Sequence, residues 1–201
     1  KTLNRATDTT RQPGSTFKIL AAYSAALDAG GLTLASVQDD APYTYAGANG
    51  KSVNNYDRRY RGFTTLREAI TDSINIVTVK TLAQAGVSLG WQYVQEYGFT
   101  TVDSRDMNEA LALGGITQGV SNLELTAAYA AIANQGTYIR PKFYTKILDH
   151  DGNVLIDNTT PESHTVIKDT TAWLLTSAME DVMTSGTGTS AYFGSSMAQA
   201  G

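Results

Sequence analysis

From Ser15 the chain turns apolar almost without interruption: Phe17, Ile19, Leu20, Ala21, Ala22 and Tyr23 lead on to Leu27, and Gly30-Gly31 closes the run. The polar, Thr-rich opening segment ends in Arg11-Gln12-Pro13-Gly14, so the pattern predicts a turn that opens a helix at Ser15. Residues 36–62 carry Gly, Asn, Asp and Tyr with no sustained period and read as a long surface excursion. Thr65-Leu66-Arg67-Glu68 has the form of a capping box, in which hydroxyl and carboxylate reciprocally satisfy amides of the first helical turn. A short helix is predicted from there. It breaks near Asp72-Ser73-Ile74-Asn75, whose side chains compete for backbone hydrogen bonds, and resumes from Val77 to Ala85 before Gly86.

Ser88 is placed to cap a helix over Leu89 to Tyr97, ended by Gly98. Ser121-Asn122-Leu123-Glu124 is a second capping box before a helix from Leu125 to Ala133, ended by Gly136. The stretch from Tyr144 to Asp157 is apolar on either side of Asp151-Gly152, a hairpin signal. Asp169 is placed to cap a last long helix through Trp173, Leu175 and Met179 to about Met183, with 185–190 as loop. Tyr129 and Trp173 read as core, and Asp39-Asp40, Asp149 and Asp151 as solvated turn carboxylates. With neither internal repeat nor linker, residues 1–201 read as one α+β domain, predominantly helical, with a hairpin attached.

Composition narrows the functions. At 42% hydrophobic and 17% charged, 201 residues can bury a core. A net charge of −4 with dispersed Lys and Arg argues against a nucleic-acid partner or an anionic membrane surface, and leaves a small molecule or a polymer of modest charge. There is no apolar run long enough to span a bilayer and no signal-peptide pattern at the start, so nothing in this segment is expected to anchor it. Without cysteine, and with only His150 and His164, neither thiolate catalysis nor a metal cluster is expected, and no cofactor is implied.

The candidate chemistry is Ser15 and Lys18. A Ser in the first turn of a helix and a Lys three residues on share one face. A Lys can take the Ser proton if burial lowers its pKa, and Phe17, Ile19 and Leu20 supply an apolar setting. The helix N-terminus adds amides that stabilise an oxyanion. Ser73 and Asn75, at the predicted break, offer a hydroxyl to relay a proton and an amide to hold a substrate carbonyl or Lys18. Gly186-Thr187-Gly188-Thr189 lacks the Lys of a phosphate loop and reads as plain loop, and the Asn158-Thr159-Thr160 sequon is given no role.

Ser-x-x-Lys followed by Ser-x-Asn is the pairing of penicillin-binding proteins and class A β-lactamases, completed there by Lys-Thr-Gly. Arg11-Gln12-Pro13-Gly14-Ser15-Thr16-Phe17-Lys18, Asn55-Tyr56-Asp57 with Thr65-Leu66-Arg67-Glu68-Ala69, and Ala112-Leu113-Gly114-Gly115-Ile116-Thr117-Gln118-Gly119 with Ala127-Ala128-Tyr129-Ala130 resemble, in order, the transpeptidase domain of class A, bifunctional penicillin-binding proteins. The resemblance implies a partial serine β-lactamase/D,D-transpeptidase-like fold. It also implies a peptidoglycan D,D-transpeptidase in which Ser15 is acylated by stem peptides and by β-lactam antibiotics. Lys18 is then general base, Ser73 proton relay, and Asn75 the positioner of substrate and Lys18. The family's Lys-Thr-Gly strand is expected directly after Gly201 and its first strands before Lys1. The expectation is therefore a single incomplete domain, with much of the central sheet missing, weak or no activity alone, and an exposed face that another chain or segment covers. The parent is expected at the extracytoplasmic face of a bacterial cell membrane. Two alternatives stay open: a non-catalytic β-lactam-sensing or scaffolding module, and a serine β-lactamase.

Overall fold

The computed structural model describes residues 2–46, 50–194 and 196–201. At its centre lies a continuous helical run over 14–28: a 3-10 turn Gly14–Thr16, a π-helical segment Ile19–Tyr23, and α1, Ser24–Asp28. Phe17 through Ala26 are all buried, because this helix is surrounded rather than laid on a surface. The other helices are α2 (Leu66–Thr71), α3 (Asn75–Ala85), α4 (Val87–Glu96), α5 (Asn122–Ala133) and α6 (Asp169–Thr184). The central helix packs on α3, α4 and α6. Phe17 meets Phe99 edge-on at 5.0 Å, and buried hydroxyls pair across the core, Tyr23 with Thr78 at 2.8 Å and Ser24 with Tyr97 at 2.9 Å.

The described strands are β1 (Thr10–Arg11), β2 (Val37–Asp40), β3 (Tyr43–Thr44), β4 (Ser52–Val53), β5 (Gly62–Thr65), β6 (Val120–Ser121), β7 (Thr137–Ile139), β8 (Lys146–Leu148), β9 (Val154–Asp157) and β10 (Ser163–Thr165). They pair two by two, all antiparallel: β1 with β6, β2 with β5, β3 with β4, β7 with β10 and β8 with β9. The predicted hairpin is β8–β9, with a register shift between Ile147 and Leu148. Its apolar side chains are exposed.

Both capping boxes form: Thr65 with Glu68 opens α2, and Ser121 with Glu124 opens α5. Six expectations are corrected. Residues 36–62 are not an aperiodic excursion but hold β2 to β5, whose two longer strands close the segment into a ladder; the part of that expectation over 47–49 lies outside the described residues. Asp40, read as solvated, has no accessible surface. Trp173, read as core, is 68% exposed on the outer side of α6. Ser88 caps nothing, because Gly86 at φ +107° makes the junction and α4 starts at Val87; likewise Lys168, not Asp169, takes the N-cap position of α6. α3 starts at Asn75, two residues before the predicted Val77.

Side chains fasten these helices to one another. Arg67 of α2 reaches Asp181 of α6 at 2.6 Å and also donates to the Ser177 carbonyl and hydroxyl. Asp28, at the end of α1, accepts from Tyr93 at 2.7 Å and from the Lys168 amide at 2.8 Å. Among the described residues, no helix is long and apolar enough to cross a membrane.

Candidate active site

The turn that carries Ser15 is held from outside its own helix. Gly14 has φ +60°, and the segment 114–116 lies directly on it. A Cβ at Gly114 (φ +71°) would sit 2.5 Å from the Gly14 carbonyl oxygen and 2.6 Å from its nitrogen, so only glycine permits the approach. The Ile116 amide donates to Gln12 Oε1 at 2.9 Å, and Gln12 Nε2 donates back to the Ile116 carbonyl. Tyr129 of α5 donates its hydroxyl to the Thr16 carbonyl at 2.6 Å. Ser15 is thereby fixed at the start of the helix with its side chain exposed.

The second half of the site is the break between α2 and α3. The Ile74 amide donates to the Ala69 carbonyl and the Ser73 amide to the Ile70 carbonyl, the two bonds of a Schellman ending. The residue in its left-handed position is ordinarily glycine; here it is Ser73, at φ +54°. That conformation costs about 1–2 kcal/mol. It turns both the hydroxyl and the carbonyl of Ser73 toward one point, the Lys18 ammonium.

Lys18 is 3% exposed. Its Nζ donates to the Ser73 carbonyl at 2.7 Å, to Ser73 Oγ at 3.0 Å and to Asn75 Oδ1 at 2.6 Å. Burial pushes Lys18 down to about 7. The Asn75 side chain is held on its other side, where Nδ2 donates to the Asn54 carbonyl at 2.7 Å. Lys18, Ser73 and Asn75 therefore meet, and Ser15 joins them as a lining residue of the neighbouring cavities. Ser15, Lys18 and Ser73 line a cavity of about 190 Å³ together with Tyr23 and Tyr129, whose hydroxyl pKa values burial raises. Ser15, Ser73 and Asn75 also line an adjoining cleft of about 590 Å³ with Asn55, Tyr56, Asp57, Arg61 and Asp72. Among the described residues no hydrogen bond holds the Ser15 hydroxyl, which leaves it open to the cleft.

Among the cavity-lining residues, Thr187 escaped the sequence reasoning. It lies in the segment read as plain loop and lines both cavities. Its amide donates to the Thr71 carbonyl at 3.2 Å, and the preceding Gly186 lies so close that a Cβ would stand 2.2 Å from the same oxygen. The glycine before Thr187 was the only local signal, and it does not distinguish a docked loop from a free one. A concavity of about 580 Å³ between α5 and α6 has Asp169 as its sole ionisable lining residue, so it lacks an acid–base pair.

The model of the penicillin binding protein transpeptidase domain matches residues 1–200. The chain belongs to this family. It resembles penicillin-binding protein 1F of Bacillus subtilis, 40% identical over 190 residues that cover 94% of this chain and 26% of the relative. Penicillin-binding protein 1A of Neisseria flavescens is 36% identical, over 93% of this chain and 24% of the relative. The transpeptidase domain described here thus spans about a quarter of the length of these class A relatives. Among solved structures, penicillin-binding protein 1A from Haemophilus influenzae superimposes with a TM-score of 0.81 at 28% identity, over 94% of this chain and 33% of that one. Penicillin-binding protein A from M. tuberculosis, an imipenem acyl-enzyme complex, gives a TM-score of 0.78 at 22% identity over 90% of this chain and 46% of that one, a likeness of fold alone.

Proposed function

We propose that this transpeptidase domain forms a serine acyl-enzyme and transfers the acyl group in peptidoglycan cross-linking, within a protein whose catalytic domain faces the outside of a bacterial cell membrane. One observation carries the reading: a lysine buried to a pKa of about 7, held by Ser73 and Asn75, in the cavity that the unbonded Ser15 hydroxyl lines. Ser15 Oγ attacks the penultimate D-Ala carbonyl of a stem peptide. Its proton passes to neutral Lys18, through the Ser73 hydroxyl, as the Oγ–C bond forms. The amide C–N bond then breaks, the departing D-Ala nitrogen takes the proton from Lys18, and an ester remains on Ser15. An amine of a neighbouring strand attacks that ester, gives its proton to Ser15 Oγ by the reverse route, and forms the new amide. A β-lactam ring would open on the same oxygen, as the M. tuberculosis relative's imipenem complex illustrates for that protein.

A deacylating hydrolase would need a carboxylate able to accept a proton from water. Two carboxylates line the cleft: Asp57, which the Arg59 amide, followed by the Arg61 guanidinium at 3.0 Å, holds below the ordinary carboxylate range, and Asp72, which lies 4.0 Å from the same guanidinium. This favours a lasting acyl-enzyme over hydrolysis.

Intact-mass spectrometry after incubation with benzylpenicillin tests the reading, on the chain and on a form continued past Gly201 through a Lys-Thr-Gly segment. A stable adduct that disappears in Ser15→Ala is expected. A folded continued form that takes up no adduct would leave the scaffolding alternative standing, and one that turns the antibiotic over would favour a β-lactamase.

A further inference from the structure

The buried carboxylate of Asp40 takes no part in the chemistry above, yet it sits at the root of a chain of contacts that ends on Lys18. Its Oδ1 and Oδ2 accept from Asn55 Nδ2 at 2.8 and 3.0 Å, and Oδ2 also accepts from the Arg61 amide at 2.9 Å. Arg61 closes on it with a guanidinium nitrogen at 3.9 Å. Asn55, itself buried, donates further to the Arg59 carbonyl at 2.8 Å and accepts from the Ile76 amide at 3.2 Å. That last bond has a specific cause. The N-cap residue of α3 is Ile74, which has no side-chain acceptor, so an orphan amide of the first turn must be satisfied from elsewhere. Asn55 supplies the cap across space.

The neighbouring carbonyl, Asn54, accepts from Asn75 Nδ2 at 2.7 Å. A primary amide has a donor end and an acceptor end. With Nδ2 committed to Asn54, Oδ1 must face Lys18; a half-turn of the amide would set donor against donor and acceptor against acceptor.

We infer that Asp40 and Asn55 are positioning residues of the Lys18–Asn75 pair, fixing the 54–55 backbone that in turn fixes which end of the Asn75 amide meets the lysine. The inference rests on the roles proposed for Lys18 and Asn75. Asp40 lies under the cleft, and Asn55, which lines it, bonds Asp40, Arg59 and Ile76 rather than Ser15 or Lys18.

Lysine labelled with ¹³C at Cε lets Lys18 be titrated by NMR in the folded protein, with its signal assigned by loss in Lys18→Met. The other titratable side chains of its cavity are Tyr23 and Tyr129, both raised by burial and silent near neutrality. Asp57, Asp72 and Arg61 face the adjoining cleft, and none is altered by the variants. Asn55→Ala changes no charge. It is expected to move the Lys18 midpoint to lower pH by about one pH unit, because an oxygen that stabilised the ammonium is no longer aimed at it. The plateau rate of benzylpenicillin acylation should fall roughly 10-fold or more. Asp39→Asn, a charge change on the exposed neighbouring carboxylate, should leave both unchanged. A folded Asn55→Ala whose Lys18 midpoint equals that of the parent overturns the inference, whatever its melting temperature. Should Asn55→Ala not fold, the isosteric Asp40→Asn decides the question by the same midpoint, read against Asp39→Asn. A parent protein that titrates normally but never acylates would sink the proposed function alone, since the midpoint comparison needs no activity.

Discussion

If Lys18 is the base that takes the Ser15 proton, the acylation rate must follow the population of neutral lysine. With a pKa of about 7, half of Lys18 is neutral at that pH. An ordinary solvated lysine, with a pKa near 10.5, would be neutral in only about 0.03% of molecules there. Burial therefore raises the competent fraction about 10³-fold at neutral pH. The rate of benzylpenicillin acylation, measured by stopped mixing and intact mass, should be half-maximal near pH 7, fall to about one-tenth of its plateau at pH 6 and level off above pH 8. The same shift has a stability consequence of opposite usefulness. Lys18 loses its proton more readily folded than unfolded, so the unfolded state binds more protons between about pH 7 and 10.5. Stability rises with pH through that window, by up to about 5 kcal/mol for the full shift, and the burial cost is fully present below pH 7. Urea midpoints of the parent should climb between pH 7 and 9, and those of Lys18→Met should not. An acylation profile flat from pH 5.5 to 9, or one with its midpoint in the carboxylate range, would refute Lys18 as the base.

Two further substitutions separate strain from chemistry. Ser73→Gly removes the hydroxyl but also relieves the left-handed backbone at φ +54°, so the thermal midpoint should hold or rise while acylation drops by about 10²-fold or more. Gly114→Ala forces a Cβ against the Gly14 backbone; it should cost about 3 kcal/mol or more in urea unfolding and abolish acylation in whatever fraction still folds.

What the sequence made legible was local. The two capping boxes are contained in four-residue windows and could be read directly from Thr65, Glu68, Ser121 and Glu124. The grouping of the four candidate residues was legible because Ser15 and Lys18 lie one helical turn apart, and because Ser73 and Asn75 straddle a helix break that their own side chains announce. The burial of Asp40 was not legible, since it depends on β2 finding β5 and on Asn55 arriving from a different segment. Nor could local pattern reveal that Gly86 would make the junction itself and leave Ser88 inside α4. Trp173 misled for a related reason: an aromatic on a periodic helix argues for a buried face, but which face is buried depends on neighbours the period does not name.

The site concentrates features that each oppose folding: a lysine out of water, a serine in a left-handed turn, and a helix start whose N-cap residue has no acceptor. Contacts from distant sequence hold them and the Ser15 turn beside them: Ser73 and Lys18 meet across 55 residues. Gln12 and Ile116 are 104 residues apart, Tyr129 and Thr16 are 113 apart, and Asn55 reaches Ile76 across 21. Local propensity cannot supply such contacts; in isolation the segment around Ser73 would lose its left-handed turn and the lysine would return to solvent. The cost of a basic, desolvated amine is thus carried by the tertiary framework rather than by the residues that use it. On this reading Gly114, Asn55 and Asp40, none of which takes part in the proposed bond changes, set the geometry on which the reactivity of Ser15 depends.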